Sequence, residues 1–198
     1  MPLQASTQPV PSQHLDGGGV AARGATVWFT GLPSAGKTTI ANAFAARLSD
    51  QGRAVEILDG DAVRPVLSPE LGYSKADRDA NVARIGWVAH LLARNGVLVL
   101  ASVVSPFAAA RDGVRAQHED ADVPFYEVHV ATPVDVCAAR DVKGLYARQR
   151  DGGMSGLTGI DGEYEPPVEP DLRIETTNST VDDAVESLIT LVRKENLL

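Results

Sequence analysis

The chain has 198 residues, with 18 Lys+Arg against 26 Asp+Glu and a formal net charge of −8. An acidic balance argues against a general nucleic-acid binder, though a local basic pocket is compatible with it. Hydrophobic residues make up 44%, no apolar run is long enough for a transmembrane helix, and one cysteine, Cys137, excludes an internal disulfide and a Cys-rich metal site. The N-terminus lacks a basic start followed by an apolar stretch, so no secretory signal is read. The expectation is a cytoplasmic enzyme or switch with no membrane partner.

In chain order, residues 1–24 read as a disordered tail, since half of them are Gly, Pro, Ser or Gln. Residues 25–198 read as one domain. Ala25–Thr30 is a short β-rich run, followed by a glycine-bounded loop at Gly31–Gly36. Lys37–Gln51 is alanine-rich and helical, stopped by Gly52. Ala54–Asp59 is a second strand. Lys75–Asn95 carries Val82, Ile85, Ala89 and Leu92 at helical spacing and closes at Gly96. Val97–Ser102 is continuously apolar, as a strand buried on both faces should be. Pro106–His118 is helical and Phe125–Val130 is the fourth strand. Thr132–Arg140 is a helix with Thr132 as its cap and Pro133 in its first turn. Residues 141–170, rich in Gly, Pro and charge, read as a mobile surface excursion or lid. Leu172–Glu175 is a fifth strand and Val181–Glu195 a closing helix. Strands alternating with helices predict an α/β fold, a five-stranded parallel sheet covered on both faces. Ligands of such sheets sit at the carboxyl ends of the strands, which gathers the loops after residues 30, 59, 102 and 130 around one cleft.

The first of those loops, Gly31-Leu32-Pro33-Ser34-Ala35-Gly36-Lys37-Thr38, has the phosphate-loop spacing G-x-x-x-x-G-K-[ST] between a strand and a helix. Glycines let successive N–H groups point at phosphate oxygens, and the helix N-terminus adds partial positive charge. Lys37 can reach the β and γ phosphates and the Thr38 hydroxyl can ligate Mg²⁺. A phosphate loop names a nucleotide, not a reaction. The chain has no Asn-Lys pair for a guanine reader, and Asp141-Val-Lys-Gly144 lies too far along to be a switch motif. A small-molecule kinase fits best. Arg140, Lys143, Arg148 and Arg150 are read either as a solvated basic face or as a lid that covers ATP and neutralises phosphoryl charge.

On the acceptor side, Asp61 follows the second strand. It can accept a hydrogen bond from an attacking hydroxyl or hold Mg²⁺ through water; the plainer reading of Asp59 and Asp61 is a strand-to-helix cap. Arg78 continues the inward stripe of its helix, where a guanidinium needs an anionic partner unless the helix end frays to water. With Arg64 it can clamp a dianionic or phosphosulfate-like group. Tyr73 is read as a stacking platform for a base, or as packing under a loop.

With GLPSAGKTT, LDGDAVR, LGYSKADRDANVARIG, SPFAAARD, ARDVKGLYAR and GLTGIDGEYEPP, the sequence from Ala25 onward resembles the adenylylsulfate kinases. That resemblance implies transfer of the γ-phosphoryl group of ATP to the 3′-hydroxyl of adenosine 5′-phosphosulfate (APS), giving PAPS and ADP with Mg²⁺. It implies that Gly31–Thr38 and Thr39 hold ATP, that Arg140 stacks on its adenine, and that Asp61 orients or deprotonates the 3′-hydroxyl. Arg64, Arg78 and Asn81 resemble the phosphosulfate clamp. Tyr73 stands where the family has Phe beneath the substrate adenine, and Leu157 where a second Phe covers it. Val104 and Ser105 fall in the family's I-S-P-F segment. Ser105 resembles a serine described as a phosphorylated intermediate, although direct in-line transfer needs no covalent stop. Lys143, Gly144 and Leu145 resemble the substrate-side lid. Ala62, Pro65 and Ala108 depart from the usual Asn, His and Arg. The resemblance also implies a homodimer and admits association with ATP sulfurylase. Another small-molecule P-loop kinase and a non-catalytic nucleotide-binding subunit are the alternatives.

Overall fold

A computed structural model describes residues 23–198, so the predicted tail lies outside the described residues except for its last two positions. Five strands, β1 (Ala25–Thr30), β2 (Val55–Asp59), β3 (Leu98–Ser102), β4 (Phe125–Val130) and β5 (Leu172–Ile174), form one sheet in the order β2-β3-β1-β4-β5. Every pairing is parallel, from Ala25 opposite Leu98 on one side of β1 to Thr26 opposite Phe125 on the other. All six residues of β1 are buried, as the central strand of a sheet covered on both faces requires.

Side-chain alternation along β1 divides the core in two. Ala25, Val27 and Phe29 point to the face covered by α1 (Lys37–Ser49) and α7 (Val181–Lys194), where they meet Ile40, Phe44, Leu48 and Leu188. Trp28 points to the other face and packs with Ile85, Ala89 and Val114 from α3 (Lys75–Ala93) and α4 (Ala108–Glu119). Helices leaving β1 and β3 therefore go to opposite faces, which opens a crevice at the carboxyl ends of these neighbouring strands. Both α3 and α7 begin with a capping box, Ser74 with Asp77 and Thr180 with Asp183.

Two segments differ from the sequence expectation and a third carries structure beyond it. Residues Gly60–Leu67 form a helix, α2, despite Pro65 in its interior. Asp59 caps it, its Oδ1 accepting from the N–H groups of Asp61 at 3.0 Å and Ala62 at 3.4 Å, so the plain cap reading holds for Asp59. The helix α5 starts at Val134, after Pro133, and Thr132 does not cap it. Its hydroxyl donates to the Ala35 carbonyl at 2.8 Å instead, tying β4's end to the phosphate loop. Residues 141–170 are not featureless. They contain α6 (Leu145–Arg150), the buried side chains of Tyr146 and Leu157, and a turn closed by the Asp161 carboxylate, which accepts from Gly156 N at 2.9 Å and Leu157 N at 2.7 Å.

Two histidines sit in this core. His118 is fully buried; Nδ1 faces the Val114 carbonyl at 2.8 Å, which marks it as the protonated nitrogen, and Nε2 accepts from the Thr26 hydroxyl at 2.9 Å. Burial pushes it down to about 4. His129 is also pushed down to about 4, by burial first and then by the Arg173 and Arg111 charges. Both fold as neutral rings, while the unfolded chain takes up protons near pH 6.5. Stability should thus be level above about pH 6.5 and fall toward pH 4, by on the order of 3 kcal/mol for each ring. Urea unfolding between pH 7 and 5, where few carboxylates titrate, measures this; an unchanged free energy over that interval would contradict it.

Candidate active site

The phosphate loop leaves β1 at Gly31, whose φ is +152° and whose absent Cβ would lie 2.5 Å from the Val130 carbonyl oxygen. Only glycine fits there. Gly36, at φ 106°, precedes α1 without any side-chain cap, so the first N–H groups of α1 stay free for an anion. The loop is braced from below. Tyr146 donates to Pro33 O at 2.9 Å, and Arg140 to Ala35 O at 3.2 Å and to the Thr176 hydroxyl at 2.8 Å.

Lys37 is buried and folds back on its own loop, donating to Gly31 O at 2.9 Å and Leu32 O at 2.8 Å. Loss of hydration pulls its ammonium down to about 8. Thr38 donates to Asp59 Oδ2 at 2.6 Å and lies 3.1 Å from the Ser102 hydroxyl. This brings three oxygen donors together from α1, β2 and β3. Among the described residues no group of three or more His, Cys, Asp or Glu is positioned to cage a metal. One carboxylate with two hydroxyls is nevertheless a donor set that suits Mg²⁺, which keeps most of its waters and takes phosphate oxygens for the rest.

From the loop a crevice of about 480 Å³ runs to the acceptor side. Its loop-side wall is Ser34 through Ile40; the far wall contains Asp61, Arg64, Tyr73, Arg78, Asn81, Val104 and Ser105. The capping box at Ser74 fixes the start of α3, so Arg78 and Asn81, three residues apart, share the face turned to the crevice. Arg78 does not fray to water. It donates to Tyr73 O at 2.9 Å, Gly156 O at 2.9 Å and the Thr158 hydroxyl at 3.2 Å. Burial lowers its pKa, helped by the neighbouring Arg64 charge. Arg64 donates to the Leu71 and Gly72 carbonyls. The guanidinium carbons of Arg64 and Arg78 lie 4.6 and 5.5 Å from the centre of the Tyr73 ring. Tyr73 itself is 71% exposed, a face rather than packing under a loop. Neither arginine pairs with a carboxylate among the described residues. Asn81 is 5% exposed and its Oδ1 has no partner. Together these groups form a socket with positive charge to spare and a polar atom left over, which suits an anion with a planar base.

Ser105 is buried at φ 39° and its hydroxyl accepts from Trp28 Nε1 at 3.0 Å. Among the described residues no histidine or carboxylate hydrogen-bonds to it. Asp61, on the far wall, pairs with Lys143. The predicted residues Gly31, Leu32 and Pro33 form the underside of the loop rather than the crevice wall. Gly144 and Leu145 start α6 and Leu157 packs into the α1–α7 core, 4% exposed, so none of these three lines the crevice. Arg148 and Arg150 also stay off it, while Arg140 and Lys143 line it.

Two sets of residues were missed by sequence reasoning. Asp59 and Ser102 join Thr38 through contacts across 21 and 64 residues, which no local pattern announces. Thr176, Ser179, Thr180 and Val181 extend the loop-side end of the crevice with Arg140 and Val142. Their signal was available: they follow the fifth strand, whose carboxyl end belongs to the same rim as the other four.

Known proteins agree with this geometry. The adenylylsulphate kinase family profile matches residues 23–175. A probable adenylyl-sulfate kinase of Synechocystis is 53% identical over 163 residues, 82% of this chain and 90% of that protein. The Mycobacterium tuberculosis APS kinase CysC, solved in complex with AMPPNP and APS, superposes with a TM-score of 0.84 at 43% identity, covering 86% of this chain and 98% of that one. A hexameric APS kinase from Thiobacillus denitrificans superposes at 0.68 with 38% identity, over 90% of this chain and 30% of that one. With its profile, its sequence identity and its crevice in accord, this chain belongs to the adenylylsulfate kinase family.

Proposed function

We propose that the crevice carries out ATP-dependent phosphorylation of the APS 3′-hydroxyl with the residues described above. The observation that carries this reading is that Lys37, Asp61, Arg64 and Arg78 all line one crevice. The ATP phosphates would replace the Gly31 and Leu32 carbonyls as partners of Lys37 and take the free N–H groups of α1. Arg140, Val142 and the Thr176–Val181 rim suit the donor adenine. APS would place its base against Tyr73 and its phosphosulfate on Arg64 and Arg78, with Asn81 supplying the remaining polar contact.

In this reading the 3′-hydroxyl faces Asp61, whose carboxylate accepts the proton as the oxygen attacks the γ-phosphorus in line and the bond from that phosphorus to the bridging oxygen breaks, releasing ADP. Lys143 then shifts from Asp61 toward phosphoryl charge. Thr38, Asp59 and Ser102 are the residues that would hold Mg²⁺, which would supply neutralisation of phosphate charge. The Ser105 hydroxyl, bonded to an indole N–H and lacking a base, is not an activated nucleophile, so transfer is direct. No helix among the described residues is long and apolar enough to cross a membrane; a cytoplasmic location is proposed on the sequence alone. The homodimer and the association with ATP sulfurylase are likewise carried by the family resemblance.

Three outcomes test the reading in coupled ADP-release assays with Mg-ATP and APS. Arg78→Ala should raise the KM for APS by about 10- to 100-fold and leave that for ATP near its original value, since a charge-assisted bond is worth about 1.5–3 kcal/mol. An unaltered APS KM would remove Arg78 from the clamp. Ser105→Ala should keep turnover; complete loss in a folded variant would restore a covalent intermediate. Because Lys37 binds phosphate as the ammonium and is held at about 8, ATP affinity should weaken as pH rises through that value. Calorimetric titration at pH 7 and 9 measures it, and equal affinities would mean that Lys37 keeps its proton without ligand.

A further inference from the structure

Behind the acceptor wall lies a buried cation that does not line the crevice. Arg111, in α4, is 3% exposed and uses each of its three nitrogens. Nε donates to Glu127 Oε1 at 2.6 Å, Nη1 to the Ser105 carbonyl at 2.8 Å, and Nη2 to the Glu165 carbonyl at 2.8 Å. Its charge is met by Glu127, so it is not a free anion site. What it joins is more telling. Ser105 belongs to the acceptor wall and sits in the left-handed region at φ 39°, a conformation that persists only where neighbours impose it. Glu165 is where the 141–170 excursion returns to the domain. Its N–H donates to Pro106 O at 2.8 Å and its Oε2 accepts from Ala108 N at 2.6 Å. Earlier in the same excursion, Gly156 and Thr158 meet Arg78.

We infer that Arg111 is a positioning residue for the acceptor substrate. It fixes the Val104–Ser105 turn on one side and, through Glu165, the segment that holds Arg78 on the other. The planar guanidinium is suited to this because it donates in several directions at fixed angles. Loss of the bridge lets the turn and the excursion separate, and the phosphosulfate socket loosens while the phosphate loop, braced by Tyr146, Thr132 and Arg140, stays in place. The inference rests on the proposed acceptor role of Arg78 and Ser105.

Two variants test it, each checked by thermal melting and assayed with ATP and APS varied separately. Arg111→Lys retains the charge opposite Glu127, but its single ammonium cannot span both carbonyls. Arg111→Met combined with Glu127→Gln removes the pair together, so no carboxylate is left buried alone. In both, the APS KM should rise about tenfold or more, further in the double variant, while the ATP KM and the kcat at saturating APS change far less. A wild-type APS KM in either folded variant overturns the inference. So does a parallel rise in both KM values, the signature of a general loss of structure. Should the double variant not fold, Arg111→Lys alone decides. The unsubstituted protein keeps the two claims apart: its failure to turn over APS defeats the proposed function, whereas normal turnover with indifferent variants defeats only the role of Arg111.

Discussion

Positive charge without carboxylate partners is the constraint around which the crevice is built. Lys37, Arg64 and Arg78 hydrogen-bond to backbone carbonyls and one hydroxyl, in a chain whose net charge is −8. Carbonyl dipoles hold a cation in place without neutralising it, so each group retains its attraction for an anion. Lys37 shows what this costs: burial first, with the Lys143 charge adding to it, moves its ammonium down to about 8. Such a site is least comfortable when empty and gains most from a polyphosphate at one end and a phosphosulfate at the other. On the proposed reading, selectivity for anionic adenylates follows from charge balance before any base is recognised.

The fold keeps those cations apart while keeping them facing one space. β1 is the common element, buried along its full length, and its C-terminal end gives rise to the phosphate loop. Its neighbour β3 ends in Ser102 and leads into the Val104–Ser105 turn. Thr30, the last residue of β1, donates to the Val104 carbonyl at 2.7 Å, which ties the donor strand directly to the acceptor wall. Trp28 does the same through Ser105. Both ends of the crevice are therefore referenced to a single buried strand, which suits a reaction where attacking and leaving oxygens must stay in line.

The sheet was legible because its signals are local. Apolar strands, the glycine-bounded phosphate loop and the helix stops at Gly52 and Gly96 each lie within a few residues of the structure they specify. Arg78 was legible for the same reason, since helical spacing from Val82 and Ile85 places it on the inner face. Helix α2 was less so: Pro65 removes a donor, and only the Asp59 cap with an exposed, short run allows the helix to continue. The anchors of the excursion at 141–170, Tyr146 to Pro33 and Arg78 to Gly156, were not legible because Gly and Pro content reports local freedom, whereas these contacts are long-range. Asp59 and Ser102 escaped notice because their relation to Thr38 exists only once three elements are side by side.

The four departures from the family pattern can now be weighed by position. Ala62, Pro65, Ala108 and Leu157 all lie off the crevice wall. Ala62 and Pro65 are on α2, which contributes no buried residue, and Ala108 offers its backbone N–H to Glu165 as any residue there would. Leu157 fills core space beside α1 and α7, where an aliphatic side chain satisfies packing without an aromatic ring. Leu157 therefore offers no surface to the crevice in place of the ring that the family resemblance implies at this position. Tyr73, flanked by two guanidiniums, is left as the aromatic face of the acceptor site. On the proposed reading, divergence touches the shell and the base-stacking element and leaves the cations, Asp61 and the phosphate loop in place. A site arranged in this way depends more on its charged socket, and less on ring stacking, to hold its acceptor.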